Sequence, residues 1–421
     1  MSDRTAPYPW LLLGLLFAVP ALLPFSRAAE APILLGALLG LYAALRDRAA
    51  LQRVITRTLL LALGAYTLAA LISAIDAYSS KTWSTALGSL RFLGFALGVL
   101  TLLWHALRDG ADPARLSKLL SLAAALPIAL WVADGLMQAA SGWSIGGTLD
   151  SDRLSGIFGA DDLKLGPLLS ALSPLLLWPL LRARRMYLAA VWLGLLLVVL
   201  LAGARAGWLS FALVSTLLAW RLARGSWPLL LSWLAAAALC VAALVAISYH
   251  SSETFRARID RTLAASDGQI DVALAGRVPI WKTATQMIAA HPINGVGARS
   301  FRYAYPDYAD AGDPWVDPVQ HTGASHAHQI ILEVLTETGI LGLLLWLAAA
   351  ILLWRQARQV PIDSAAGAAW VSLAVLVFPL NTHLAFYSSF LSIVLAWLLT
   401  LACAQTLIVQ MGEKTAASNA S

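Results

Sequence analysis

The chain has 421 residues, 59% of them hydrophobic and only 12% charged, and its mean hydropathy of +0.73 excludes an ordinary soluble domain. A net charge of +6 would point to nucleic acid in a soluble protein, but in a polytopic membrane protein basic loops report orientation instead. The two cysteines, Cys240 and Cys403, both lie in apolar runs, which excludes a disulfide framework and a cysteine-built metal site.

Twelve windows are long and apolar enough to cross about 30 Å of hydrocarbon. They lie at 10–26, 29–45, 58–77, 91–107, 119–138, 164–181, 187–203, 207–222, 227–249, 328–353, 364–382 and 387–409. The sequence therefore predicts an all-α polytopic membrane protein in three parts: spans one to nine over 1–249, a long loop with short helices over 250–327, and spans ten to twelve with a tail over 328–421. Arg4 before the first span and the Ala-rich stretch after Arg27 also fit a cleaved leader, against which the immediate second span argues.

Lys and Arg in the short loops set the orientation. With the N-terminus inside, sixteen fall on the inner side and six on the outer; the other seven lie in 250–327, too long a segment to count. Both termini are then cytoplasmic, and 250–327 is external. No ATP is available outside, so an enzyme working there needs a substrate that carries its own activation. Lipid-linked diphosphate sugars in the same bilayer are such substrates.

In chain order, the basic run 46–57 reads as an interfacial anchor. The turn 78–91 places Lys81 and Arg91 outside, against the charge bias, so each needs an anionic partner: a lipid headgroup or a substrate. Asp134 is a carboxylate at membrane depth and should face protein or water. The loop 139–163 contains D-R-L-S-G-I-F-G-A-D-D, a folded turn in which Arg153 either pairs with Asp152 or Asp161 or meets substrate. Arg205, in L-A-G-A-R-A-G-W, stands at an outer boundary among small residues, which leaves room for an anion.

The long loop opens with an interfacial helix end at 256–261. Gly276 and Arg277 then precede a short amphipathic helix, with Pro279 in its first turn, an apolar stripe of Ile280, Ala284, Met287 and Ile288, and His291-Pro292 as its end. A guanidinium beside helix N–H groups forms an anion site. After Gly295-Val296-Gly297, Tyr303, Tyr305, Tyr308 and Trp315 are suited to stack on sugar rings and Asp307, Asp310, Asp313 and Asp317 to bind hydroxyls. An interfacial aromatic belt with Asp-Pro turns fits them equally. His321, His326 and His328 offer three metal ligands in principle, but His326 and His328 would diverge on a helix. A histidine at a helix mouth serves better as a proton acceptor. Gln329, Glu333 and Glu337 share a stripe and should bond within the bundle.

The order G-R-x-x-x-W, H-P-x-x-G-x-G and H-Q-x-x-L-E-x-x-x-E-x-G-x-x-G ahead of a span, with R-x-S-G-x-F-G at 153–159 and A-R-A-G-W at 204–208, resembles the O-antigen ligase and polymerase superfamily over about residues 150–345. The family histidine is usually followed by Asn; here Gln329 follows it. The resemblance implies a metal-independent inverting glycosyltransferase of the GT-C type, without cofactor, in the bacterial inner membrane with its active site facing the periplasm. It implies that Arg205 and Arg277 bind the diphosphate of an undecaprenyl-diphosphate-linked glycan donor and that His328 is the catalytic base toward a lipid A–core acceptor. Lys81, Arg91, Arg153, His326, Tyr303, Tyr305 and Trp315 would be secondary contacts. The other partners are membrane lipids, not nucleic acid.

Within the superfamily a ligase is expected, since the protein-targeting members usually carry an extra C-terminal region. A polymerase or a related lipid-linked oligosaccharide transferase shares the donor. From another class, a secondary transporter would show repeats and midplane polar groups, whereas here polar groups gather at one face.

Overall fold

The computed structural model describes residues 8–25, 27–148, 153–160, 162–251, 253–263, 270–379 and 384–420. Its helices in chain order are α1 (Tyr8–Leu22), α2 (Glu30–Arg46), α3 (Arg48–Val54), α4 (Arg57–Ser73), α5 (Lys81–Gly88), α6 (Leu90–Arg108) and α7 (Pro113–Ser141). A two-strand hairpin, β1 (Trp143–Ser144) and β2 (Gly147–Thr148), follows, then α8 (Leu165–Leu177), α9 (Arg185–Leu201), α10 (Arg205–Ala223), α11 (Trp227–Ser251), α12 (Glu253–Leu263) and α13 (Ile270–Ala273). The last are α14 (Arg277–Ala290), α15 (Phe301–Tyr308), α16 (Ile330–Ala357), α17 (Ala365–Leu376) and α18 (Ser389–Ala420).

The expected all-α membrane class holds. Among the described residues seven helices are long and apolar enough to cross a bilayer, or eight if α3 and α4, bent by 89°, form one broken span. Helices α1, α9 and α17 are apolar but shorter, so twelve spans are not established. The turn expected at 78–91 is also different. Lys81 opens α5, which runs with α6 as one apolar stretch to Arg108, and the Ser89 hydroxyl at the junction bonds back to the Ala86 carbonyl at 2.6 Å.

The chain divides into two compact units: 1–127 with 281–371 and 385–421, and 128–280 with 372–384. In the first, α2 and α6 pack through paired small-residue motifs, Gly36 and Gly40 facing Gly94 and Gly98. A Cβ on Gly40 would fall on the Gly94 carbonyl, and one on Gly98 on the Gly36 carbonyl, so only glycine permits this backbone approach. Polar bonds tie α18 to its neighbours: Trp397 donates to the Leu16 carbonyl at 2.9 Å, Tyr66 meets Ser392 at 2.7 Å and Gln405 meets Ser117 at 2.6 Å.

The second unit packs α8 against α9 and α10. Gly207, near the start of α10, abuts the Gly166–Pro167 backbone of α8, and Trp192 of α9 donates to Ser215 of α10 at 2.9 Å.

Candidate active site

Three guanidiniums gather in the second unit, and local structure explains each. The segment around Arg153 is fixed by α7: the Gln138 side-chain oxygen accepts the N–H of Ser155 at 3.1 Å and of Gly156 at 2.7 Å, while buried Asp134 accepts from Ile145 at 2.8 Å. Gly156 and Gly159 take left-handed φ values of +55° and +91°, and Phe158 packs edge-on against Trp131. Leu154 N–H bonds the Leu201 carbonyl at 3.3 Å, which draws Arg153 to the end of α9, just ahead of Arg205. The expected partners Asp152 and Asp161 lie outside the described residues.

Arg205 is the first residue of α10. Gly203 at φ +70° makes the turn, and Trp208 ties it back by donating to the Val199 carbonyl at 3.1 Å. Arg277 is the first residue of α14. Ala275 and Gly276 are both left-handed, and Asp271 accepts the Val278 N–H at 2.9 Å, capping the helix. Both arginines thus stand at helix N-termini, where the positive end of the helix dipole adds to their charge. Arg277 is half-buried, and its pKa lies below the usual arginine range, first because burial penalises its charge and then because Arg205 and Arg153 repel it.

The first unit holds the histidines and the G-x-G motif. Helix α16 breaks at Gly339 (φ 63°, ψ −166°), and loop 292–297 supplies the bonds the break leaves open. Val296 and Gly297 donate to the carbonyls of Thr336 and Glu337, both at 2.9 Å, while Ile340 and Leu341 donate to those of Pro292 and Ile293 at 2.9 and 3.2 Å. A Cβ on Gly295 would fall on the Glu337–Thr338 peptide, and one on Gly339 on the Ile293 carbonyl. H-P-x-x-G-x-G and E-x-G are therefore two halves of one joint. Glu333 and Glu337 are buried in the bundle as expected, accepting from Phe386 N–H at 2.7 Å and Phe301 N–H at 3.3 Å.

Contrary to the sequence expectation, His326 and His328 do not diverge on a helix. Gln329 caps α16 by accepting the Leu332 N–H at 2.6 Å, so both histidines precede the helix, and their ring centroids lie 3.9 Å apart. His328 holds a left-handed φ of +52°, a strained position for a non-glycine residue. Trp281 fixes the segment by donating to the Ala327 carbonyl at 3.0 Å, and Ser325 meets His326 Nδ1 at 2.9 Å. His321 is exposed and faces Asp307 at 3.2 Å. Among the described residues no three His, Cys, Asp or Glu side chains converge as a metal would require.

The secondary contacts fare unevenly. Arg91 is held by Glu30 through two bonds of 2.9 Å, an internal fork. Lys81 donates to the Tyr303 hydroxyl, and this bond lowers the tyrosine's pKa, helped by Lys81's charge and those of Arg302 and Arg299. Those two arginines, overlooked in the sequence among the aromatic residues around them, complete a cationic cluster with Lys81. Tyr305 cannot stack on a sugar: it is fully buried and bonds Asp313 at 2.9 Å. Trp315 is part-exposed at 39%. The four aspartates serve the loop itself: Asp310 pairs with Lys282, Asp307 with His321, Asp313 with Tyr305 and the Trp315 N–H, and Asp317 with the N–H groups of Val319 and Gln320.

These features define a helical membrane protein with clustered guanidiniums in one unit and a paired-histidine segment in the other. Residues 188–347 match the family model described as O-antigen ligase, so this segment is similar to that family of membrane enzymes. The match covers Arg205, Arg277 and His328 but stops short of Arg153. Comparison with curated proteins gives no match.

Proposed function

We propose that this protein is an O-antigen ligase, a glycosyltransferase that moves polysaccharide from undecaprenyl diphosphate to lipid A–core oligosaccharide, with inversion and without metal, at the periplasmic face of the inner membrane. Arg205 and Arg277 bind the donor diphosphate. His328 takes the proton from the acceptor hydroxyl as its oxygen attacks the anomeric carbon; the bond to the diphosphate breaks, and undecaprenyl diphosphate leaves. Two guanidiniums neutralise that leaving group as a divalent cation would, and oriented binding supplies much of the remaining acceleration.

The observation that supports this most is that Arg153 and Arg205 lie near enough to the half-buried Arg277 guanidinium to repel its charge. Like charges drawn together at helix N-termini favour a multiply charged anion.

The test is transfer by purified protein from lipid-linked donor to core acceptor, in EDTA, for three single variants. His328→Ala should lose about 10²- to 10⁴-fold, the usual worth of positioned proton transfer, while donor binding persists; His321→Ala and His326→Ala should lose far less. Retained activity in His328→Ala, or its abolition in wild type by EDTA, would overturn the mechanism. Products extended by single repeats on the lipid carrier would identify a polymerase instead.

A further inference from the structure

A cavity of about 380 Å³ opens between α9, α10 and α11 in the second unit, within the range of small-ligand sites. Its walls are apolar, formed by residues such as Leu188, Trp192, Leu218, Ala237 and Cys240. The one hydroxyl lining it, Ser215, already accepts from Trp192. The cavity lies where α9 begins and α10 ends. Arg205 stands at the other end of α10, about 15 Å along the helix from Ser215 and about 26 Å from Leu222.

Charge and aromatic residues mark this end. Arg182, Arg184 and Arg185 precede or open α9, and Arg221 and Arg224 close α10, yet between Asp162 and Glu253 the sequence has no carboxylate side chain. Tyr187 and Trp227 are more than half exposed and Trp220 is 42% exposed, the pattern of a headgroup-level belt. Arg185 lies over the Trp233 ring at 5.3 Å. Trp233 lines the cavity, and its indole N–H is buried with no hydrogen-bond partner among the described residues. A buried donor in that state is costly until an acceptor arrives.

We propose that this groove is a binding site for an anionic phospholipid. The phosphodiester sits among the arginines, a glycerol ester carbonyl accepts the Trp233 N–H, and one acyl chain lies between α9, α10 and α11. Basic pockets between membrane helices bind anionic headgroups in this way. The proposal is independent of the transferase reading, because the site occupies the opposite end of α10 from Arg205 and its readout is lipid binding.

The experiment is native mass spectrometry of the full chain in detergent, with phosphatidylglycerol or phosphatidylcholine of identical acyl chains. Phosphatidylglycerol should be retained preferentially. Arg185→Gln, at an exposed position, should weaken its retention about five-fold, the worth of one basic residue at a membrane surface. Ala237→Phe, which fills the groove, should abolish it. Equal retention of the two lipids overturns the proposal, as does undiminished phosphatidylglycerol in both variants. Retention of a polyprenyl phosphate but not of phosphatidylglycerol would assign the groove to an isoprenoid chain and overturn it too.

Discussion

Replacing Gly295 by alanine puts a methyl group where loop 292–297 rests on the broken α16. At φ +69° alanine costs about 1–2 kcal/mol by itself, and its Cβ falls on the Glu337–Thr338 peptide. The loop must lift, and the bonds from Val296 and Gly297 to Thr336 and Glu337 go with it, at about 1 kcal/mol each. Gly312→Ala separates the two contributions, because Gly312 has φ +81° with open space around its Cβ position and should lose the conformational term alone. Chemical denaturation in detergent should therefore show Gly295→Ala about 2 kcal/mol less stable than Gly312→Ala, read from midpoints at a common slope. Equal losses would refute the idea that the two glycine motifs form one joint.

Arg277→Lys and Arg205→Lys keep the charge but lose the planar fork, so both should impair transfer at unchanged protein abundance; full activity in both variants would remove these residues from the donor site. For topology, with the native cysteines replaced, an impermeant thiol reagent added from outside should label Val319→Cys, at a position 92% exposed, and not Ser226→Cys in the turn between α10 and α11. The reverse pattern would place the histidine loop on the cytoplasmic side and sink the proposed orientation.

Much of the local chemistry was legible because it depends on neighbouring residues. Gly276 before Arg277, Pro279 in the first turn of α14 and the arginine at the mouth of α10 follow from backbone rules that act over four or five positions. What depends on remote partners was not. The apolar stripe after His328 suggested that the helix already included the histidines, but capping by Gln329 starts it two residues later and lets the two rings meet. Arg91 read as a cation in search of an anion, since Glu30 is 61 residues away. Tyr305 read as a sugar platform because nothing local announces that Gly323 packs its backbone against that ring. The small-residue pairs of α2 and α6 were present in the sequence, but their meaning emerges only when the two helices are seen side by side. A window test also reads composition and not helix length: the windows at 10–26, 187–203 and 364–382 fall on α1, α9 and α17, which are apolar but shorter than the seven long helices.

The break in α16 also bears on how the chain enters a bilayer. Treated as one rod, Ile330–Ala357 would carry Glu333 and Glu337 into hydrocarbon, where acidic side chains near a helix centre cost several kcal/mol in translocon-mediated insertion. Divided at Gly339, the segment from Ile340 to Ala357 is free of acidic side chains and at 1.5 Å per residue reaches roughly 27 Å, nearly the thickness of the hydrocarbon core. The insertion machinery can therefore accept the second half alone. The glutamate-bearing half instead depends on Phe301 and Phe386, whose N–H groups its buried carboxylates accept.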